Sequence, residues 1–146
     1  MASQQERMER MTDREINIAI AKACGWSQAA PRAGGRPSPI LTAQGNELWH
    51  YDSRGNSYGP CCDWERALDH PSMPIPDYCN DLNAMHAVVL GMPMCDQFEM
   101  ACVLLRMVTT SQDWSCCDSE HWSVAVNATA RQRAEAFLRT LNLWKE

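Results

Sequence analysis

Residues 47–58 read ELWHYDSRGNSY, and this stretch decides the fold class. Leu48, Trp49 and Tyr51 favour extended backbone, and Asp52-Ser53-Arg54-Gly55-Asn56 has the composition of a turn. A β-hairpin over 47–58 follows, with a short second strand at Ser57 and Tyr58. Helical patterns lie on either side. Over 13–24, Ile16, Ala19, Ile20 and Ala23 recur at helical spacing. Thr12 and Glu15 form a capping box ahead of them, Gly25 is a stop signal, and Trp26 follows. A second helix is predicted over 78–90, with Asp77 as cap, a stripe of Tyr78, Leu82, Met85 and Val89, and Gly91 and Pro93 as terminators. A third is predicted over 96–108, opened by Asp96 and Glu99, with Phe98, Ala101, Cys102, Leu105 and Val108 on its apolar face. So short a link between the two predicts a helical hairpin. Trp122, Val124 and Val126 alternate with small or polar residues and predict a strand over 122–126. The last helix is predicted over 129–142, capped by Thr129 and Gln132, with Ala134, Phe137, Leu138 and Leu141 facing inward. Residues 27–46 read as a long loop. Residues 59–76 read as irregular, with one helical turn at 64–68. The fold class is therefore α+β. About four helices are layered on a small antiparallel sheet made of the hairpin 47–58 and strand 122–126, in a single domain over 1–146.

The composition limits the function classes. The chain has 146 residues, 45% hydrophobic and 21% charged, which is globular rather than disordered. Its formal net charge of −5 argues against binding a nucleic acid polymer, which needs clustered Lys and Arg. Lysine occurs only at 22 and 145, so Arg carries the positive charge. Arg suits bidentate contacts to a small phosphate or carboxylate. The N-terminal residues are polar and mixed in charge, and no apolar run is long enough to span a bilayer, so a cytoplasmic protein with no membrane partner is expected. Eight cysteines are present. Cys24, Cys79 and Cys102 fall in or beside helical patterns, where Cys behaves as a small apolar residue. The set reads mostly as reduced thiols.

Three stretches resemble a known group when taken in order. They are MTDREINIAIAKACGW (11–26), PDYCNDLNAMH (76–86) and NATARQRAEAFLRTLNLWKE (127–146). Together they resemble the phage ABA (alpha-beta-alpha) sandwich domain family of small phage and prophage accessory proteins. In that family an N-terminal helix ends at Gly-Trp, a Tyr/Asn/Asp-rich helix start follows, and a helix like the last one here closes the chain. The resemblance implies an accessory protein that acts against host immunity. One route is to bind and sequester a nucleotide second messenger, of the cyclic dinucleotide or cyclic ADP-ribose type. Another is to block a host defence protein. The long loop at 27–46 and the pairs Cys61-Cys62 and Cys116-Cys117 depart from that pattern.

No motif of a hydrolase, a transferase or a phosphate-binding loop is present, so no catalysis and no cofactor are expected. His50, His70, His86 and His121 are the side chains an enzyme would use as acids or bases. Cys117 and His121 lie four apart, and Cys61 or Cys62 could join them on zinc. Structural zinc sites use C-x2-C spacing, and adjacent cysteines chelate one ion poorly, so no metal is expected. Three groups remain as ligand-binding candidates. Trp49, Tyr51 and Tyr58 sit on the hairpin with Arg54, and aromatics with Arg can stack a base and hold a phosphate. The alternative is a hairpin packing its aromatic face on helices. Asn80, Asn83 and His86 crowd the start of the second helix with Asp77 and Asp81. Capping accounts for part of that cluster, and a carboxamide with an imidazole can read a base edge or a ribose hydroxyl. Arg131 and Arg133 stand in the first turns of the last helix, where amide groups and the dipole favour an anion. The alternative there is a solvated face with Arg131 paired to Glu135. A pocket for a small nucleotide signal is expected at the interface of a homo-oligomer.

Overall fold

A computed structural model describes residues 10–108 and 125–146 of the chain. The fold is α+β. In chain order it contains α1 (Asp13–Ala23), β1 (Ser27–Gln28), β2 (Ile40–Leu41), β3 (Trp49–Tyr51), β4 (Ser57–Pro60), α2 (Trp64–Leu68), α3 (Leu82–Leu90), α4 (Met94–Val108) and α5 (Ala130–Thr140). It divides into two compact units, one of residues 17–76 and one of residues 1–16 with 77–146. All the named strands belong to the first, and α3, α4 and α5 to the second.

Local chemistry sets the helix ends. The Thr12 amide donates to the Glu15 carboxylate at 2.7 Å, and the Glu15 amide returns a bond to Thr12 Oγ1 at 3.3 Å. The Thr12 hydroxyl also donates to the Glu15 carboxylate, at 3.0 Å, and the bonds from the Thr12 amide and hydroxyl hold the Glu15 pKa below its ordinary value, against opposition from burial. At the other end of α1, Trp26 N–H reaches the Ala21 carbonyl and Gly25 N–H reaches that of Lys22. Gly25 takes the left-handed conformation this closure requires, with φ of 103°. The last helix behaves as the sequence predicts. Thr129 and Gln132 form a reciprocal capping box ahead of α5. Asn142, at φ 56°, closes the far end, where Leu143 N–H meets the Leu138 carbonyl at 2.8 Å.

Several expectations are corrected. α3 starts at Leu82, not at 78, because Asp81 rather than Asp77 is its cap. Asp81 Oδ1 accepts from the amides of Asn83 and Ala84. α4 starts at Met94, so Asp96 and Glu99 are not its capping box. The Gln97 amide already donates to the Pro93 carbonyl as the first helical bond. Its buried residues are Met100, Leu104 and Leu105, while Phe98 is exposed. The apolar face is therefore turned from the expected one, which included Phe98. Leu82 and Ala23 are likewise exposed. α3 and α4 do not pack chiefly on each other: α5 lies along α4 and, over a shorter span, against α3. Ala134, Ala136, Phe137 and Leu138 of α5 are buried. Of the strand expected at 122–126, residues 122–124 lie outside the described residues, and Ala125 and Val126 are helical.

The loop expected over 27–46 holds a small sheet instead. β1 pairs antiparallel with β2, and β3 pairs antiparallel with β4. Gln28 fastens the first pair by donating its side-chain amide to the carbonyls of Ser38 and Cys62, both at 2.9 Å. The strands are two residues long, too short to leave a periodic trace. The two hairpins meet at three fully buried residues, Ile40, Leu48 and Cys61. Their backbones close a ring of hydrogen bonds. Ile40 N–H donates to Cys61 O, Cys61 N–H to Leu48 O, and Leu48 N–H to Ile40 O, each at 2.9 Å. Buried backbone groups need partners, and this ring satisfies them without a longer sheet.

Candidate functional site

The hairpin of β3 and β4 carries the densest cluster of candidate side chains. Its tip is ordered by Asp52, whose Oδ1 accepts from the amides of Arg54 and Asn56, both at 2.9 Å. Those bonds, led by the one from Asn56, hold the Asp52 pKa below its ordinary value. Gly55 provides the left-handed residue of the turn, with φ of 81°. Arg54 is therefore displayed from a fixed backbone. Its guanidinium has no partner among the described residues.

The strand register then decides which rings meet. Trp49 opposes Pro60, His50 opposes Gly59, and Tyr51 opposes Ser57. The extra residue in β4 is Tyr58, a β-bulge that re-aims its side chain. Tyr58 stacks on His50, with ring centroids 5.6 Å apart and planes 17° from parallel. His50 stacks in turn on His70, again at 5.6 Å and at 29°. The three rings run from the buried His70 to Tyr58, which is 70% exposed. Strand alternation puts Trp49 and Tyr51 on the opposite face from His50. The half-buried Trp49 donates its indole N–H to Glu47 Oε2 at 2.9 Å, and Glu47 also pairs with Arg32 at 3.3 Å. Tyr51 is 54% exposed.

The expected hairpin group is thus split between two faces. Tyr58 belongs with His50 and His70, which composition marked only as acids or bases. Trp49 and Tyr51 lie across the sheet, and Arg54 stands at the tip. The signal for His50 was its place between Trp49 and Tyr51 in an alternating strand. Nothing local in the sequence signals His70, because its stacking partner is twenty residues away along the chain.

The remaining candidates lie in the other unit. Asn80 donates its side-chain amide to both oxygens of Asp77, at 3.2 and 3.0 Å, so it is held in the turn before α3. Asn83 and His86 are exposed on α3, three residues apart and on one face. Arg131 donates to Asp13 Oδ1 at 2.7 Å and to the Met11 carbonyl at 3.2 Å. Arg133 donates to the carbonyls of Val126, Ala128 and Ala125, at 2.8, 3.2 and 3.4 Å. Both guanidiniums are occupied in holding the start of α5 to neighbouring backbone. Glu135 pairs with Arg139, not with Arg131.

Cys24, Cys61, Cys62, Cys79, Cys95 and Cys102 are thiols, and Cys116 and Cys117 lie outside the described residues. Among the described residues, no three His, Cys, Asp or Glu side chains are grouped to hold a metal ion. Burial pushes the Cys79 thiol up to about 12, and pushes those of Cys61 and Cys24 upward as well. Thiolate is the reactive species, so alkylation should discriminate among them. With iodoacetamide at pH 8, among the described thiols the exposed Cys95 is expected to label first and Cys79 and Cys61 last. Peptide mass spectrometry over time reads the order, and early labelling of Cys79 would contradict the packing described.

Among the described residues, no helix is long and apolar enough to cross a membrane. No protein-family model matches the chain, and neither a curated protein nor a solved structure matches it.

Proposed function

We propose that this protein binds a small nucleotide-type signal without chemical change, using the Tyr58 face and tip of the β3–β4 hairpin as its platform. One observation carries the reading: a column of three near-parallel rings ends in the exposed Tyr58, with the Arg54 guanidinium, unpaired among the described residues, on the adjoining turn. A purine base would continue the column on the open face of Tyr58, and Arg54 would hold its phosphate. The resemblance to small phage accessory proteins supplies the setting. There the protein is an anti-defence sponge that sequesters a cyclic dinucleotide or a cyclic ADP-ribose derivative, assembled as a homo-oligomer.

A second reading, a protein-binding inhibitor of a host defence factor, is favoured by exposed apolar side chains in the other unit. Leu90, Met94 and Phe98 are 64%, 80% and 63% exposed. Such side chains are common at the centre of protein interfaces.

Calorimetric titration with cyclic dinucleotides and cyclic ADP-ribose isomers, followed by chromatographic recovery of each, separates these readings. Tight binding with intact ligand is expected. Tyr58→Ala should weaken it about tenfold or more, since a base–aromatic stack is worth ~1–3 kcal/mol. Arg54→Ala should weaken it as well, and increasingly so at low salt. A new product would make the protein an enzyme. Absence of binding to every nucleotide would reject the platform and leave the protein-binding reading.

A further inference from the structure

His70 is only 3% exposed, and both of its ring nitrogens are engaged. Nδ1 accepts from the amides of Ser72 and Met73, at 3.2 and 3.1 Å. That assigns the proton to Nε2, which donates to the Trp49 carbonyl at 3.0 Å. The register explains why this carbonyl is available. Cys61 N–H donates to Leu48 O, so Trp49 and the opposing Pro60 form a non-hydrogen-bonded pair. The Trp49 carbonyl therefore points away from β4, and Pro60 loses no ladder bond there. The His70 imidazole stands where a neighbouring strand's N–H would stand. Hydrogen bonding alone would account for a buried histidine, but this ring also underlies His50, and His50 underlies Tyr58.

We propose that His70 is a positioning residue: by fixing β3 and stacking on His50, it sets the plane in which Tyr58 is presented to a ligand. The ligand half of this inference rests on the nucleotide reading above, and the ring-order half does not. Because two contacts lie between His70 and the exposed face, substitution at His70 should change Tyr58 without touching it. His50 is the intermediate, so removing it should free Tyr58 while the three hydrogen bonds of His70 stay intact.

The test uses the full chain as wild type, His70→Gln and His50→Ala. Glutamine keeps an N–H for the Trp49 carbonyl but has no ring. Two-dimensional NMR of the ligand-free proteins reads the Tyr58 ring shifts and their relaxation, and calorimetry reads affinity for cyclic di-AMP and cyclic ADP-ribose. The Tyr58 ring is expected to lose the ring-current shift from His50 in His50→Ala, to show a changed shift in His70→Gln as His50 loses its support, and to gain mobility in both folded variants. Affinity should then fall about tenfold, the scale of one base stack. A folded His70→Gln protein with wild-type Tyr58 shifts would overturn the proposal. If that variant does not fold, unchanged Tyr58 shifts in His50→Ala overturn it equally. If the wild type binds neither probe nor any other nucleotide of the panel while Tyr58 responds as expected, the nucleotide reading fails and the positioning role of His70 stands.

Discussion

Replacing Phe137 by alanine is expected to destabilise the protein by about 3–5 kcal/mol, and replacing Phe98 by less than about 0.5 kcal/mol. These are the chain's two phenylalanines, and both fall on apolar helical patterns. Phe137 is 3% exposed on α5, beside the fully buried Leu138, whereas Phe98 is 63% exposed on α4. Truncating a buried ring removes its transfer free energy and leaves a cavity that close-packed neighbours cannot fill. Truncating an exposed ring does neither. Urea unfolding of both variants, at constant slope, gives the comparison. Equal losses would mean that α4 buries the face carrying Phe98 after all.

The second large effect concerns the meeting point of the two hairpins. Leu48→Ala should cost about 3 kcal/mol, within the range for a buried leucine. Its side chain is fully buried, and its backbone belongs to the ring of hydrogen bonds with Ile40 and Cys61. Loosening that point should open residues 17–76 locally, because stability is distributed in cooperative units. Hydrogen exchange reads this directly. The Ile40 and Cys61 amides should exchange faster in the variant, while the amides of α5 change less. If α5 loses protection equally, the two units unfold as one, and the local account is wrong. A neutral Leu48→Ala would remove the ring of hydrogen bonds from its central place.

Acid should weaken the start of α1. The Glu15 pKa is depressed in the fold by its bonds to Thr12, so its contribution is present above the ordinary carboxylate pKa. That contribution is lost as pH falls through the depressed folded value. Surface exposure keeps the effect small next to the two core substitutions.

Much of the secondary structure could be read from short stretches of sequence. The Thr12–Glu15 and Thr129–Gln132 caps, the Gly25 stop and the Asp52–Asn56 turn are each closed by hydrogen bonds across a few residues. Their chemistry is local, and so is their signal. The same holds for the buried face of α5, whose apolar residues sit at uninterrupted helical spacing. The candidate site was legible only in part. The aromatic character of the hairpin and the place of Arg54 in its turn followed from composition and turn type. The grouping of the rings did not, since one bulge at Tyr58 moves that side chain onto His50 and away from Trp49 and Tyr51.

By itself, then, the sequence determined the α+β class, the caps that open α1 and α5, the stop after α1, and the hairpin with its ordered tip. These depend on bonds and steric preferences within a turn or two of chain. Tertiary structure decided what sequence spacing leaves open. It selected Met100 and Leu104 over Phe98 as the inward side of α4, and it turned Arg131 and Arg133 onto backbone carbonyls and Asp13. It also brought His70 under His50. Each of these outcomes depends on a partner or a packing environment that local spacing does not specify. A helix with two adjacent apolar stripes buries the one its neighbour can cover, and a guanidinium takes the nearest acceptors that folding delivers.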